Sequence, residues 1–167
     1  MNKKELILMC GAPGSGKSTY IASHAGPNDI VISRDAIRFS HLREGEYYFS
    51  HEDEVFKEFI GQIQTALNTP GVEKVYCDAT HISQASRDKV CDKLNMENVK
   101  NILCIVILPS LEEVIKRNSN RRGHSRAYVP VSVVRRMYYQ FERPEYDTNY
   151  PKDTKYVEVP ESWEKFG

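Results

Sequence analysis

Gly11-Ala12-Pro13-Gly14-Ser15-Gly16-Lys17-Ser18-Thr19 fits the pattern G-x-x-x-x-G-K-[ST], a phosphate cradle wherever a strand runs into it and a helix leaves it. Glycines let successive backbone N–H groups turn inward around a β-phosphate, and the following helix offers its positive end. Lys17 is expected to reach the β and γ oxygens and the Ser18 hydroxyl to ligate Mg²⁺, so a nucleoside triphosphate, taken as ATP, is expected together with Mg²⁺. All nine residues from Gly11 to Thr19 are candidate nucleotide contacts, joined by Arg117 from a basic segment downstream.

A cradle does not name its phosphate acceptor, and three further constellations bear on it. In Ser33-Arg34-Asp35-Ala36-Ile37-Arg38, Asp35 and Arg38 are three apart, so on a first helical turn both project from one face. The carboxylate there is placed to take the proton of an acceptor hydroxyl, and the arginine to grip an anion on the acceptor. Asp78-Ala79-Thr80-His81 closes a strand expected beside the cradle. Asp78 would hold the water shell of Mg²⁺ or fix Arg38, Thr80 would meet substrate, and His81 reads as a hydrogen-bonded loop residue. Lys116 to Gln140 holds seven basic residues and no acid. Its centre, from Arg117 to Arg126, lies between two helices, where P-loop kinases carry a mobile lid, expected near 117–128; an arginine there meets the γ-phosphoryl as its charge spreads. Tyr47, Tyr48 and Phe49 are available to stack on a base or to pack.

These residues need a sheet to position them. Leu6–Cys10 is a continuous apolar run of the kind a doubly covered parallel strand shows, and Asp29–Ser33, Val72–Cys77, Ile102–Leu108 and Tyr156–Val159 read as further strands. Ile102–Leu108, the most apolar, is expected at the centre. Helices are expected at Lys17–His24, from Glu52 to Leu67, after Ser83, after a Ser110/Glu113 capping box, and from Pro130. This alternation predicts an α/β chain with a mostly parallel sheet and right-handed crossovers.

The 167 residues fit one domain spanning 1–167, with a polar, proline-punctuated tail from about residue 142. Lysine plus arginine (23) balances aspartate plus glutamate (23), so total charge demands neither nucleic acid nor membrane, yet acids gathered between Glu44 and Glu58 oppose the basic stretch downstream. No apolar run approaches a membrane span or a secretory signal, and a cytoplasmic address is expected. Cys10, Cys77, Cys91 and Cys104 form no C-x-x-C pair and read as reduced core residues. Nothing points to a protein partner.

The cradle G-x-P-G-S-G-K-S-T, S-R-D-x-x-R, D-x-T, and R-N-S-x-R followed by V-P and R-x-M-Y resemble, in the same order over residues 5 to about 142, the kinase domain of phage-type polynucleotide 5′-hydroxyl kinases. The resemblance implies a P-loop kinase-like three-layer sandwich with a five-stranded sheet and a helical lid. It also implies Asp35 as general base on a 5′-hydroxyl, Arg38 on the acceptor phosphate, Asp78 as the strand-three aspartate, and Arg121 or Arg122 as the lid arginine. Counting from Arg117 selects Arg121 and counting back from Gly123 selects Arg122; the adjacent glycine favours the latter. His81 stands where the family commonly has asparagine, and no D-x-D-x-T motif implies 3′-end processing. The implied acceptor is a 5′-hydroxyl end of DNA or RNA. A hydroxyl of a small metabolite, nucleoside or aminoacyl-tRNA is the alternative, and a module using ATP as a switch is a third reading.

Overall fold

The computed structural model describes residues 2–120, 129–145 and 149–159. Within them, β1 (Lys4–Cys10), β2 (Asp29–Ser33), β3 (Lys74–Asp78), β4 (Val99–Ile107) and β5 (Asp153–Glu158) form one all-parallel sheet in the order β2-β3-β1-β4-β5. The helices are α1 (Lys17–His24), α2 (Arg34–His41), α3 (Glu52–Leu67), α4 (Gln84–Lys93), α5 (Leu111–Ser119) and α6 (Val131–Gln140).

Strand alternation sorts β1 between two cores. Leu6, Leu8 and Cys10 point to the side where Val55, Phe59 and Ile63 of α3 and Val90 and Cys91 of α4 pack, whereas Ile7 and Met9 meet Ile21 of α1 on the other. Both faces are therefore covered, which is why the strand carries no polar residue from Leu6 to Cys10. Each fully buried leucine, isoleucine or phenylalanine contributes about 1.5–3 kcal/mol. The four cysteines are free and buried, and burial pushes the Cys91 thiol up to about 11.

Several boundaries differ from the expected ones. β1, not the strand at 102–108, holds the centre; β4 lies between β1 and β5, and its apolarity reflects two covered faces rather than a middle position. β3 begins at Lys74, because Val72 closes the preceding turn through its N–H to Thr69 O. β5 starts at Asp153, three residues before the expected Tyr156, and is mostly exposed along its free edge. Ser110 accepts from the Glu113 N–H, but the Glu113 carboxylate turns to Arg117 Nε (3.0 Å); the reciprocal box forms instead between Ser83 and Ser86. Pro130 caps α6 rather than opening it.

Of the polar stretch from about 142, Glu142, Glu145, Tyr150 and Lys152 are docked along α4. Arg87, fully buried, donates from Nη2 to Glu142 O (2.6 Å) and from Nε to His81 O (2.9 Å), with Phe141 stacked on its guanidinium. Lys152, also buried, donates to Asp88 Oδ1 (2.8 Å), and Tyr150 to Asp92 Oδ1 (2.6 Å). Residues 87, 88 and 92 recur at helical spacing, so one turned face of α4 holds the chain that leads into β5.

Candidate active site

From β1 the chain passes through α1 to β2, two places away, whereas from β3 it crosses to β4 on the far side of β1. Such a reversal opens a crevice at the carboxyl ends of the strands. The cradle enters it from β1 and Asp78 from β3, and the two loops are tied by the Gly11 N–H donating to Thr80 O (2.9 Å).

Two glycines in the cradle are sterically required. A Cβ on Gly11 would run into Ile107 O; Gly14, at φ +87°, would place one 2.9 Å from Val114 O on α5. The loop is thus pressed against α5, and Arg117 of that helix braces it by donating from Nη1 to Ser15 O (2.6 Å). The same guanidinium pairs with Glu113 and lies 3.7 Å from Glu158 Oε2 at the end of β5. Asn118, fully buried, donates from Nδ2 to Val129 O (2.6 Å) and accepts from the Val129 N–H. That amide clamps α5 to the approach to α6. Arg121 and Arg122, the candidate lid arginines, lie outside the described residues.

Lys17 is buried inside the cradle, its Nζ donating to Gly11 O (2.9 Å) and Ala12 O (3.0 Å). Gly16 caps α1 with φ +108°, and Ser15 is buried beneath the lysine, whereas Ser18 and Thr19 reach the surface. Ser18 Oγ donates to Asp78 Oδ2 (2.7 Å), so a hydroxyl and a carboxylate converge at the mouth of the cradle. This all-oxygen pair fits Mg²⁺, which takes one or two protein oxygens and completes its shell with phosphate and water. Among the described residues no cluster of three or more metal-ligating side chains stands together.

Asp35 and Arg38 line the same cavity as Lys17, Ser18, Asp78 and Thr80. Ser33 caps α2 by accepting from the Ala36 N–H (3.1 Å), which sets the first turn so that Asp35 and Arg38 share a face and form an ion pair. Asp78 does not fix Arg38. Glu52, the first residue of α3, does so with two parallel bonds, Arg38 Nε to Oε2 (2.8 Å) and Nη2 to Oε1 (2.7 Å). Arg38 Nη1 meets Asp35 Oδ1 and the Tyr48 hydroxyl, which leaves a single N–H of the guanidinium's five, on Nη2, for another acceptor. Burial opposes the Arg38 charge, but the Glu52 bonds and the Asp35 carboxylate outweigh it and hold its pKa above the ordinary value. Arg34 stands beside Glu52 (3.5 Å) with burial lowering its pKa.

Glu52 was legible only as one acid among several between Glu44 and Glu58; its pairing spans fourteen residues and no helical spacing announces it. Glu52→Gln keeps the shape but removes the charge that two arginines share, and is expected to lower stability by about 2 kcal/mol, read from the denaturant midpoint. An unchanged midpoint would show that the fork contributes nothing to folding. Of the three aromatic candidates for stacking, Tyr48 is already engaged. Its ring lies under the Arg38 guanidinium (4.5 Å) with the Phe49 ring edge-on (4.6 Å), whereas Tyr47 is exposed.

His81 is the loop residue the sequence suggests. Buried, with φ +40°, it places Nδ1 2.7 Å from Met9 O; a carbonyl only accepts, so Nδ1 carries the proton and Nε2 is left with a bare lone pair. Burial pulls its pKa down to about 3, well below the ordinary 6.5, despite that hydrogen bond. Between those values the unfolded chain binds the extra proton, so the stability from neutral His81 is complete above pH 6.5 and is lost as pH falls toward 3. His81→Asn, with a side chain that tolerates positive φ, is expected to flatten this loss, as read from unfolding free energies between pH 4 and 7. The same slope in both proteins would assign the acid sensitivity elsewhere.

An all-parallel sheet with a phosphate cradle at its topological switch point and a carboxylate–arginine pair lining the same cavity defines a P-loop kinase fold. The family model described as AAA domain matches residues 6–144, and the chain belongs to that family. Among solved structures it is similar to a chain of the Pnkp1/Rnl/Hen1 RNA repair complex, with 24% identity and a TM-score of 0.69, covering 84% of this chain and 44% of that one. It therefore spans less than half of that relative. It is also similar to Chaetomium thermophilum Kti12 in complex with ADP-AlF3 (17% identity, TM-score 0.60, 96% and 94% covered) and to a sugar kinase from Janibacter sp. HTCC2649 (18%, 0.61, 96% and 89%). No curated protein matches. Among the described residues no helix is long and apolar enough to cross a membrane.

Proposed function

We propose that the chain transfers the γ-phosphoryl group of ATP to the 5′-hydroxyl end of a DNA or RNA strand. The observation that carries this reading is the single cavity lined by both Lys17 and Asp35. In it a phosphate cradle and a half-exposed carboxylate share one space. The hydroxyl oxygen attacks the γ-phosphorus, its bond to the β–γ bridging oxygen breaks, and ADP leaves with that electron pair. Asp35 takes the hydroxyl proton as the new P–O bond forms. Lys17 and the cradle N–H groups hold the phosphates in line. Ser18 and Asp78 would hold Mg²⁺, which when bound neutralises charge on the β and γ oxygens. Arg117, bracing Ser15 O, keeps the cradle's outer wall in place. The resemblance to phage-type polynucleotide 5′-hydroxyl kinases supports a lid arginine, Arg121 or Arg122, and a nucleic-acid acceptor; similarity to a chain of an RNA repair complex agrees with it.

One observation favours a small, uncharged acceptor instead. Arg38 is bound by Glu52, Asp35 and Tyr48, which leaves it little capacity for an acceptor phosphate. Incubation with γ-labelled ATP and Mg²⁺, separately with a 5′-hydroxyl oligonucleotide, nucleosides and a sugar panel, decides between them. Label on the oligonucleotide alone is expected; label on a sugar or nucleoside alone gives the site to the second reading, and hydrolysis without transfer removes both.

A further inference from the structure

We infer that Tyr48 is a positioning residue for the Asp35 carboxylate, fixing which of its oxygens receives the acceptor's proton. The inference rests on the phosphotransfer reading above and extends it to a residue outside the D-x-x-R motif.

Tyr48 reaches α2 from the segment between α2 and α3, thirteen residues beyond Asp35, and its hydroxyl donates to Asp35 Oδ1. It also accepts from Arg38 Nη1 (2.8 Å), so the phenol is wedged between base and arginine and its one proton has one destination. Arg38 Nη1 meets the same Oδ1. One carboxylate oxygen is thus saturated, while Oδ2 accepts no hydrogen bond from the described residues and belongs to a side chain 42% exposed toward the cavity. A proton arriving from a hydroxyl in that cavity goes to Oδ2. Without the phenol, the carboxylate is free to turn both oxygens to Arg38, whose bidentate preference would then withdraw the lone pair the reaction needs.

The ring holds the hydroxyl in place. Its face lies against the Arg38 guanidinium at 4.5 Å, its edge meets Phe49 at 4.6 Å, and Phe39 stands 6.2 Å away. Burial, followed by the nearby Asp35 charge, raises the Tyr48 pKa above the ordinary phenol value, so the group stays protonated and remains a donor throughout the neutral range. It acts by orientation and by stabilising the charged carboxylate, and takes no proton itself.

Tyr48→Phe removes only the hydroxyl. It is expected to lower kcat by about 10-fold with KM for ATP unchanged, since the cradle is untouched. The loss falls on kcat rather than on ATP binding, because only the orientation of the Asp35 carboxylate changes. Phe49→Leu removes a ring from the same cluster while the phenol keeps its bonds to Asp35 and Arg38, and should lower kcat less than Tyr48→Phe does. Independently of turnover, the ¹³Cγ resonance of Asp35 at neutral pH should move in Tyr48→Phe, which removes the donor to Oδ1, and stay in place in Phe49→Leu. An unmoved resonance, or an equal loss of kcat in Phe49→Leu, overturns the inference. A resonance that moves in a chain transferring phosphate to no hydroxyl supports the contact and overturns the phosphotransfer reading instead.

Discussion

Asp35→Asn is expected to lower kcat by about 100-fold or more while ATP affinity barely changes. A primary hydroxyl is a weak nucleophile at neutral pH, and asparagine can still accept its hydrogen bond but cannot take its proton. The substitution is nearly isosteric and Asp35 is 42% exposed, so packing is conserved. The competing role is a charge in the first turn of α2, where Asp35 is the only acid. Loss of that role alone would cost about 1 kcal/mol of stability and leave turnover nearly normal. Turnover with a 5′-hydroxyl oligonucleotide, ATP titration and thermal unfolding on one preparation separate the two. Near-normal turnover would remove the general base, and with it the main reason to think of the acceptor as a hydroxyl.

Lys17→Ala should reduce phosphoryl transfer by roughly 1,000-fold or more, the scale of losing a charge aimed at the group being transferred. The geometry adds a second expectation. Lys17 Nζ braces Gly11 O and Ala12 O, so the ammonium shapes the loop as well as meeting phosphate, and its removal should also cost about 1–2 kcal/mol of stability. The fold should survive, because Gly14 remains pressed against α5 and Arg117 still holds Ser15 O. Circular dichroism and thermal melting test this part and a labelled-ATP assay the other. Full activity would remove the lysine from the chemistry, and loss of the fold would make its role structural.

The cradle was legible because its constraints are local. Strand, glycines and helix follow one another in the chain, although the contact that forbids a Cβ on Gly14 comes from Val114 on α5 and was not legible there. Asp35 and Arg38 were legible for the same reason, one helical turn being enough to pair them. Glu52 and Tyr48 were not, since they reach the pair from fourteen and thirteen residues away through a segment without periodicity. Arg87 shows a different failure. A charged residue on the buried face of α4 contradicts the apolar pattern, and the carbonyls of His81, just before the helix, and of Glu142, far along the chain, make its burial tolerable. β4 was placed at the centre because hydrophobicity reports covered faces and says nothing of neighbours.

The position of β1 has a consequence for how the protein is made. It precedes both of its partners in the chain, β3 by some seventy residues and β4 by more, so on a ribosome its apolar stretch emerges with two unpaired edges. Parallel pairing over such separations is slow to form. The cradle waits as well, because Gly14 has nothing to press against until Val114 and Asn118 of α5 have been synthesised. Nucleotide capture is therefore a late event in the life of the nascent chain, and a polypeptide able to hold a triphosphate has already completed most of its sheet.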